Sequence, residues 1–374
     1  MFYKADYIIL EDNVLENYFM EVENGKIKSF SKKEVKDFEY IEGIVAPGLV
    51  DTHIHGYKNK DIMDAEKGAL NVISEGLLEC GVTSFLPTTL TDTKENLNKA
   101  VKVVGEEYQA VKGAKVRGIF LEGPFFTEKY KGAQNEAYMS DPDIESLKEW
   151  KKLSKGLVNK IAIAPEREGA SDFIKACNAM GVYVALGHSD ASYDQALAAI
   201  DAGANIFVHT YNGMSPLHHR NPGMVGAAMN TDSISELICD GHHVNPAAAE
   251  ILMNVKGRDH IALITDCMMA GGMPDGDYML GEFPVKVEGG TARLKEGGSL
   301  AGSILKLKEA VKNVCDWDIA SIFEAVQMAS LVPAKSVGID DVCGKLKVGY
   351  DADFVVFDYD MNLLRTYLNG ERRF

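Results

Sequence analysis

The sequence predicts an α/β protein: a (β/α)8, TIM-like barrel with a second, small β domain that both chain ends form together. Three observations lead to this prediction. Short apolar, β-branched runs alternate with amphipathic stretches through the middle of the chain. Eight such runs occur, and this number favours a closed barrel over an open doubly wound sheet. The two chain ends contain short strand-like runs without this alternation.

Each of the eight predicted strands ends in polar residues, and a helical pattern follows most of them. The strands are predicted at 44–55, 82–89, 116–122, 161–165, 182–188, 206–209, 237–240 and 261–266. Stretches with apolar residues at helical spacing include 70–80, 94–111, 171–180 and 193–202. Strands joined by crossover helices run parallel within one sheet.

The chain ends predict the small domain. The runs 7–10, 18–22 and 25–27 indicate short strands, as do 354–357 and 363–368. Because chain termini often lie close together, these two pieces are expected to pair. We therefore expect the barrel over 47–335 and a small β-sandwich domain made of 1–46 and 336–374.

Composition limits the possible partners and location. The 374 residues include 39 basic and 55 acidic ones, a net charge of −16, which argues against non-specific binding to nucleic acid or to an anionic membrane. No apolar run approaches the roughly 18 residues of a membrane span, and the N-terminus does not resemble a signal peptide. The six cysteines are scattered, without a C-x-x-C pair. We expect a cytoplasmic protein with reduced thiols.

The histidines are concentrated where a barrel carries its active site. Eight of the nine lie at or just beyond the C-terminal end of a predicted strand: His53, His55, His188, His209, His218, His219, His242 and His243. On the first strand, Asp51, His53 and His55 alternate and are expected to point together into the barrel mouth. Two imidazoles at this spacing can bind one metal ion, although two hydrogen-bonded core histidines would show the same H-x-H pattern.

Other strand ends strengthen the metal hypothesis. Strand three ends at Glu122, strand five at His188 and strand six at His209. One glutamate and two histidines from separate strands, with an open position for water, are typical of a catalytic zinc-type site. Strand eight ends at Asp266, which could exchange a proton with an activated water or could cap the following turn.

Three loops offer groups that could bind a substrate. The loop 211–223 contains amide, imidazole and guanidinium donors, and Arg220 could bind a phosphate or a carboxylate through two hydrogen bonds. The segment 240–243 adds further polar groups. The glycines of 297–303 could let backbone N–H groups approach a ligand. Each loop taken alone could also be a solvated turn.

The strand ends and loops described above, in their order along the chain, resemble the amidohydrolase superfamily and, within it, the N-acetylglucosamine-6-phosphate deacetylases. The similarity spans nearly the whole chain. The Leu-Glu-Gly-Pro and His-x-x-Asn-x-Met segments are specific to the deacetylase branch, whereas many amidohydrolases share H-x-H. The segments are 47–56, 121–125, 187–190, 209–214 with Arg220, 240–243, 265–266 and, in the C-terminal tail, 344–353.

The resemblance implies that the chain hydrolyses the acetamido group of N-acetylglucosamine 6-phosphate to glucosamine 6-phosphate and acetate. Glu122, His188 and His209 would bind the main metal, and Asp266 would be the catalytic acid/base. One or two divalent ions are implied, zinc first, with iron or manganese as alternatives. The implied substrate contacts are Ala133, Gln134, Asn212, Gly213, Arg220, Asp240, Gly241, His242, His243, Leu300, Ala301 and Gly302.

The resemblance also implies a homodimer, in which Arg220 can reach the neighbouring subunit's site. Some relatives lack H-x-H, so keeping His53 and His55 favours a second metal. Gln134 stands where some relatives have histidine, and Gly213 where alanine is frequent, which leaves the amino sugar open.

Three alternative functions stay open. N-acetylgalactosamine 6-phosphate is the alternative substrate. Cyclic-amide hydrolysis is less favoured, because strand four ends in Ala164-Pro165-Glu166, without the metal-bridging lysine of cyclic amidases. A non-catalytic scaffold would be expected to lack the metal ligands or the acid/base.

Overall fold

The computed structural model of the chain describes residues 1–374 and contains 21 strands, ten α-helices and five short 3₁₀ helices. The strands are β1 Phe2–Ile9, β2 Val14–Glu23, β3 Lys26–Ser31, β4 Glu39–Pro47, β5 Leu49–Ile54, β6 Gly56–Tyr57, β7 Lys60–Asp61, β8 Val82–Thr89, β9 Lys115–Val116, β10 Ile119–Glu122, β11 Val158–Ile163, β12 Tyr183–Leu186, β13 Ile206–Phe207, β14 Ile234–Leu237, β15 Ile261–Leu263, β16 Gly276–Leu280, β17 Phe283–Glu288, β18 Thr291–Leu294, β19 Phe354–Phe357, β20 Leu363–Leu368 and β21 Glu371–Arg372. The helices are α1 Ala69–Gly76, α2 Lys94–Glu107, α3 Ile144–Leu153, α4 Ala170–Ala179, α5 Tyr193–Asp201, α6 Gly223–Met229, α7 Pro246–Lys256, α8 Leu307–Asp316, α9 Ile322–Met328 and α10 Leu331–Ser336.

Eight parallel strands form the barrel, which confirms the predicted fold class. Their order is β5, β8, β10, β11, β12, β13, β14 and β15, with short β9 pairing beside β8. A parallel bridge between Ile54 and Cys267 brings the two ends of the sheet together, so that the barrel is nearly closed. The barrel interior is filled by small and apolar side chains such as Val50, Leu86 and Ala162.

The predicted first strand is two strands in the structure. β4 ends at Pro47 and belongs to the sheet of the chain ends, whereas β5 begins at Leu49 and opens the barrel. Gly48 lies between them, where a Cβ atom would come within 2.1 Å of Oγ1 of Thr83. Only glycine therefore allows the chain to pass this close to β8 as it changes sheets.

The chain ends form a separate seven-stranded sheet in the order β21, β20, β19, β4, β1, β2, β3. β4 joins the two pieces, since it pairs in parallel with β1 and antiparallel with β19. The hydrophobic core of this sheet includes Tyr3, whose ring lies edge-on to that of Phe354 with the centroids 5.4 Å apart. The pairing of both termini thus agrees with the expectation from sequence, while the domain limits at 47 and 335 stay a prediction.

The sequence did not predict a three-stranded antiparallel sheet, β16–β17–β18, between strand eight of the barrel and α8. Its inner face packs Leu280, Val285 and Ala292 against Leu90 and Met268 near the barrel rim. The insertion therefore builds a wall beside the mouth of the barrel.

Two expectations about composition can be compared with the structure. All six cysteines are unpaired. None of the ten helices combines the length and the apolar character that crossing a membrane requires.

Candidate active site

Six polar side chains converge at the C-terminal rim of the barrel. His53 lies in β5 and His55 directly follows that strand. The other four side chains each end or follow a different strand. Exposure of five of them is 7% or less, and the sixth, Asp266, has only 13% of its side chain exposed. The six are His53, His55, Glu122, His188, His209 and Asp266.

Glu122 lies at the centre of this cluster. Its Oε1 atom is 3.2 Å from Nε2 of His53, 3.3 Å from Nε2 of His188 and 3.1 Å from Nε2 of His209. Its Oε2 atom is 3.3 Å from Nε2 of His55. All four histidines therefore direct the same ring nitrogen towards one carboxylate.

Asp266 closes the cluster from strand eight. Its Oδ1 atom lies 3.1 Å from Nε2 of His55 and 3.4 Å from Nε2 of His53. The backbone is in the left-handed region at Asp266, with φ of 50°, and likewise at His188 and His209, with φ of 46° and 27°. Non-glycine residues rarely adopt this conformation, and such strain concentrates at functional sites.

The outer ring nitrogens fix the orientation of three histidines. Nδ1 of His188 lies 3.1 Å from the carbonyl oxygen of Tyr130, and Nδ1 of His209 lies 3.1 Å from that of Asn212. Nδ1 of His53 lies 3.2 Å from Oε2 of Glu236. When each of these oxygens accepts a hydrogen bond from Nδ1–H, the inward Nε2 atom of the neutral ring carries the lone pair.

The electrostatics of the cluster favour a cation. Although burial raises it, the pKa of Glu122 is held well below its ordinary value by the charge of His53 and by hydrogen bonds from His188 and His209. Burial likewise raises the pKa of Asp266, but His53 and His55 lower it below the ordinary value. Burial lowers the pKa of His53, yet the charges of Asp266 and Glu122 raise it to about 9. Two ionised carboxylates thus attract positive charge in a buried place.

These residues fit a metal ion. The structure contains three groups whose ligand atoms lie within 4.8 Å of one another: His53, His55 and Glu122; Glu122, His188 and His209; and His53, His209 and Asp266. Nε2 of His53 is fully buried and has no hydrogen-bond partner, an arrangement that coordination would satisfy. Imidazole and carboxylate ligands are those of zinc and related divalent ions.

The prediction that Asp51 points into the barrel mouth was wrong. The pairing of β5 with β8 shifts in register between Asp51 and Ile54, as at a β-bulge. Thr52 and His53 consequently both face the interior, whereas Asp51 turns outwards and accepts a hydrogen bond of 2.6 Å from Oγ1 of Thr265. One extra residue in a strand reverses the alternation on which the prediction depended.

A cavity of about 400 Å³ opens onto the cluster. Seven of the expected substrate contacts line it: Ala133, Gln134, Asn212, Gly213, His243, Leu300 and Gly302. At Gly213, φ is +60°, and an added Cβ would lie 3.0 Å from Nδ1 of His188. The glycine thus leaves space beside a cluster histidine.

Gln134 contacts the cluster directly. Its Nε2 donates a hydrogen bond of 2.7 Å to Oε2 of Glu122, while its Oε1 accepts one of 2.9 Å from the backbone N–H of Thr91. The side chain is therefore fixed at both ends. The second N–H of the amide is available to a ligand.

Five expected contacts do not line this cavity. Asp240 instead accepts from His243, at 2.6 Å between Oδ2 and Nδ1, and from the backbone N–H groups of His242 and His243. Asp240 thus orients the ring of His243. The other residues outside the cavity lining are Gly241, His242, Ala301 and Arg220.

Arg220 lies in a neighbouring cavity of about 650 Å³, with Lys129, Asp190 and His218 in its wall. The side chain is exposed, and its Nη1 is 2.8 Å from Nε2 of His219. Within one chain, Arg220 is therefore not part of the cavity that contains the cluster.

Sequence reasoning missed two features of the site. Arg293, on the inserted β18, is the one lysine or arginine that lines the cluster cavity. The glycine-rich loop that follows Arg293 was the available signal in the sequence.

The second missed feature lies below the cluster, where Lys160 and Glu236 form a fully buried ion pair. Lys160 directly precedes strand four as predicted, 161–165, and the prediction considered only the end of that strand.

A β/α barrel with histidines and carboxylates gathered at its C-terminal rim is the architecture of a metal-dependent hydrolase. The sequence matches the model of the amidohydrolase family over residues 44–373. The chain belongs to the amidohydrolase family, as the resemblance in its motifs predicted. Membership, together with the ligand groups of the structure, implies a divalent metal ion.

The chain is also similar to individual deacetylases of phosphorylated amino sugars. The N-acetylglucosamine-6-phosphate deacetylase of Vibrio furnissii is 43% identical over 326 residues, which are 87% of this chain and 81% of that protein. The N-acetylgalactosamine-6-phosphate deacetylase of Escherichia coli O157:H7 is 38% identical over 98% of both chains. The solved structure of a mutant N-acetyl-D-glucosamine-6-phosphate deacetylase from Mycobacterium smegmatis, in complex with N-acetyl-D-glucosamine-6-phosphate, has a TM-score of 0.95 and 30% identity, covering 100% of this chain and 99% of that one.

Proposed function

We propose that the chain hydrolyses the acetamido group of N-acetylglucosamine 6-phosphate and releases acetate and glucosamine 6-phosphate. The convergence of four histidines and two carboxylates on one cavity is the observation that carries this proposal. The names of the similar proteins supply the substrate class. The presence of all six cluster residues speaks against a non-catalytic scaffold.

We propose two divalent ions per chain. Glu122, His188 and His209 would bind the first, and His53 and His55 the second, with the two oxygens of Glu122 facing both sets. Zinc suits this ligand set, and iron or manganese are the alternatives. A bound divalent ion supplies Lewis-acid polarisation and lowers the pKa of water.

The protein's own groups would handle the protons. Asp266 would accept a proton from water and then donate it to the leaving sugar nitrogen, which one carboxylate at the cavity floor can do in turn. Gln134 would hold Glu122 through one N–H and donate the other to the acetyl oxygen. His243, whose Nδ1 is bound to Asp240, would offer Nε2 to the sugar.

Acetate release from four sugars tests the proposal. We expect the ion-loaded protein to release acetate fastest from N-acetylglucosamine 6-phosphate. The galactosamine epimer should react more slowly, and the two unphosphorylated sugars should be poor substrates. Faster turnover of N-acetylgalactosamine 6-phosphate would assign the other epimer, and no acetate from either phosphate would overturn the proposed function.

We further propose a homodimer in which Arg220 reaches the partner's cavity to bind the 6-phosphate. Its exposure, and its place outside its own chain's cavity, support this arrangement. Arg220→Ala should raise KM for the phosphorylated sugar about tenfold to a hundredfold, because a charge-assisted contact contributes roughly 1.5–3 kcal/mol. KM for the unphosphorylated sugar should change little.

Arg293→Ala provides the matched comparison, since Arg293 lines the cavity within the same chain. If the phosphate-specific loss followed Arg293→Ala and not Arg220→Ala, the assignment to Arg220 would be wrong. Mixing Arg220→Ala chains with Asp266→Asn chains should restore part of the activity. Each mixed dimer would then contain one site with both residues intact.

A further inference from the structure

The interior of the barrel contains a charged pair directly beneath the cluster of histidines and carboxylates. Lys160 on β11 and Glu236 on β14 are both fully buried, and Lys160 is the one lysine or arginine among the buried residues. Apolar side chains of the barrel interior, such as Val50, Phe120 and Ala162, form one buried cluster. Removing two charges from water is unfavourable, so a buried pair needs further contacts to be tolerated.

Those contacts connect the pair to the first barrel strand. Oε1 of Glu236 accepts a hydrogen bond from Nζ of Lys160 and one of 3.2 Å from Oγ1 of Thr52. Nζ of Lys160 also donates to the carbonyl oxygen of Thr52 at 3.3 Å and lies 3.8 Å from the centroid of the Phe120 ring. The position of Glu236 is therefore fixed through one of its two oxygens.

The other oxygen, Oε2, lies 3.2 Å from Nδ1 of His53. The other histidines of the cluster lack such a partner. Nδ1 of His188 and Nδ1 of His209 face backbone carbonyls, and Nδ1 of His55 has no hydrogen-bond partner. A carboxylate fixes the tautomer and raises the basicity of a ligand histidine more than a neutral carbonyl does.

We propose that Glu236, held in place by Lys160, is a positioning residue that fixes the tautomer and ring orientation of His53 and thereby strengthens binding of the second ion. This inference depends on the two-ion part of the proposed function. The bulge that turns Thr52 and His53 to the same side of β5 allows both residues to meet Glu236.

Two double variants separate positioning from a purely structural role. Lys160→Met with Glu236→Leu removes both charges and the acceptor for Nδ1. Replacing a buried ion pair by apolar residues of similar size is often tolerated. Lys160→Met with Glu236→Gln also removes both charges, but keeps a neutral oxygen that can accept from Nδ1. Both variants lack the ion pair, but only the glutamine variant keeps an oxygen that can accept a hydrogen bond from Nδ1 of His53.

Metal-free wild type and variants are titrated with Co²⁺, followed by visible absorption, and ion content is counted after dialysis. We expect the Kd of the second ion to rise tenfold to a hundredfold in the leucine variant and by less in the glutamine variant. The Kd of the first ion, at Glu122, His188 and His209, should stay unchanged.

Wild-type Kd values in both variants, or equal losses of the second ion in both, would overturn the inference. A wild type that takes up one ion only would overturn the two-ion proposal together with it. If the leucine variant aggregates, the glutamine variant must still bind the second ion more weakly than wild type, with the first-ion Kd unchanged.

Discussion

Asp266→Asn is expected to reduce turnover by about 10²–10⁴-fold while the ion content stays at the wild-type value. A group that transfers protons contributes on this order. Asparagine has nearly the same shape but can neither accept nor return the proton. Oδ1 of Asp266 lies near Nε2 of His53 and His55, so the same carboxylate could instead be a metal ligand. Acetate release and elemental analysis on the same samples distinguish the two roles.

The matched control is Asp259→Asn, the same chemical change at an exposed aspartate that precedes β15, at the opposite end of that strand from Asp266. That variant should keep wild-type turnover. A loss under tenfold in Asp266→Asn would contradict the acid/base role. A fall in ion content would assign Asp266 to the metal ligands.

The double variant His53→Asn, His55→Asn should contain one ion per chain, where wild type contains two. Asparagine cannot replace the imidazole nitrogens that face Glu122 at 3.2 and 3.3 Å. Turnover should fall by about a hundredfold or more, since a polarising ion contributes several kcal/mol and each 1.36 kcal/mol is tenfold in rate. Elemental analysis is done with zinc, iron or manganese supplied during purification.

His260→Asn is the control, because His260 lies away from the cluster and contacts Asp259. It should retain both ions and full activity. One ion per chain in wild type, with full activity in the double variant, would make His53 and His55 structural residues.

Strand and helix periodicity were enough to predict much of this protein. The eight parallel strands and the sheet formed by the chain ends were predicted from the pattern of apolar and polar residues within each strand. Polar residues at the strand ends predicted which side chains would share one rim, because parallel strands direct their C-terminal ends to the same face. The sequence therefore predicts that Glu122, His188, His209 and Asp266 lie together.

Other features depended on contacts between residues distant in sequence. The bulge that turns Asp51 away from His53 arises from the pairing of β5 with β8, which no local pattern records. The antiparallel insertion brings Arg293 into a cavity whose other walls come from distant loops. Likewise, Lys160 and Glu236 lie 76 residues apart and meet only because barrel closure places β11 and β14 across one interior. Sequence alone thus determined the fold class and the strand-end side chains that meet at the rim, since each strand's alternation is local. The tertiary structure decided which further side chains share the site, because closure and register set their distances.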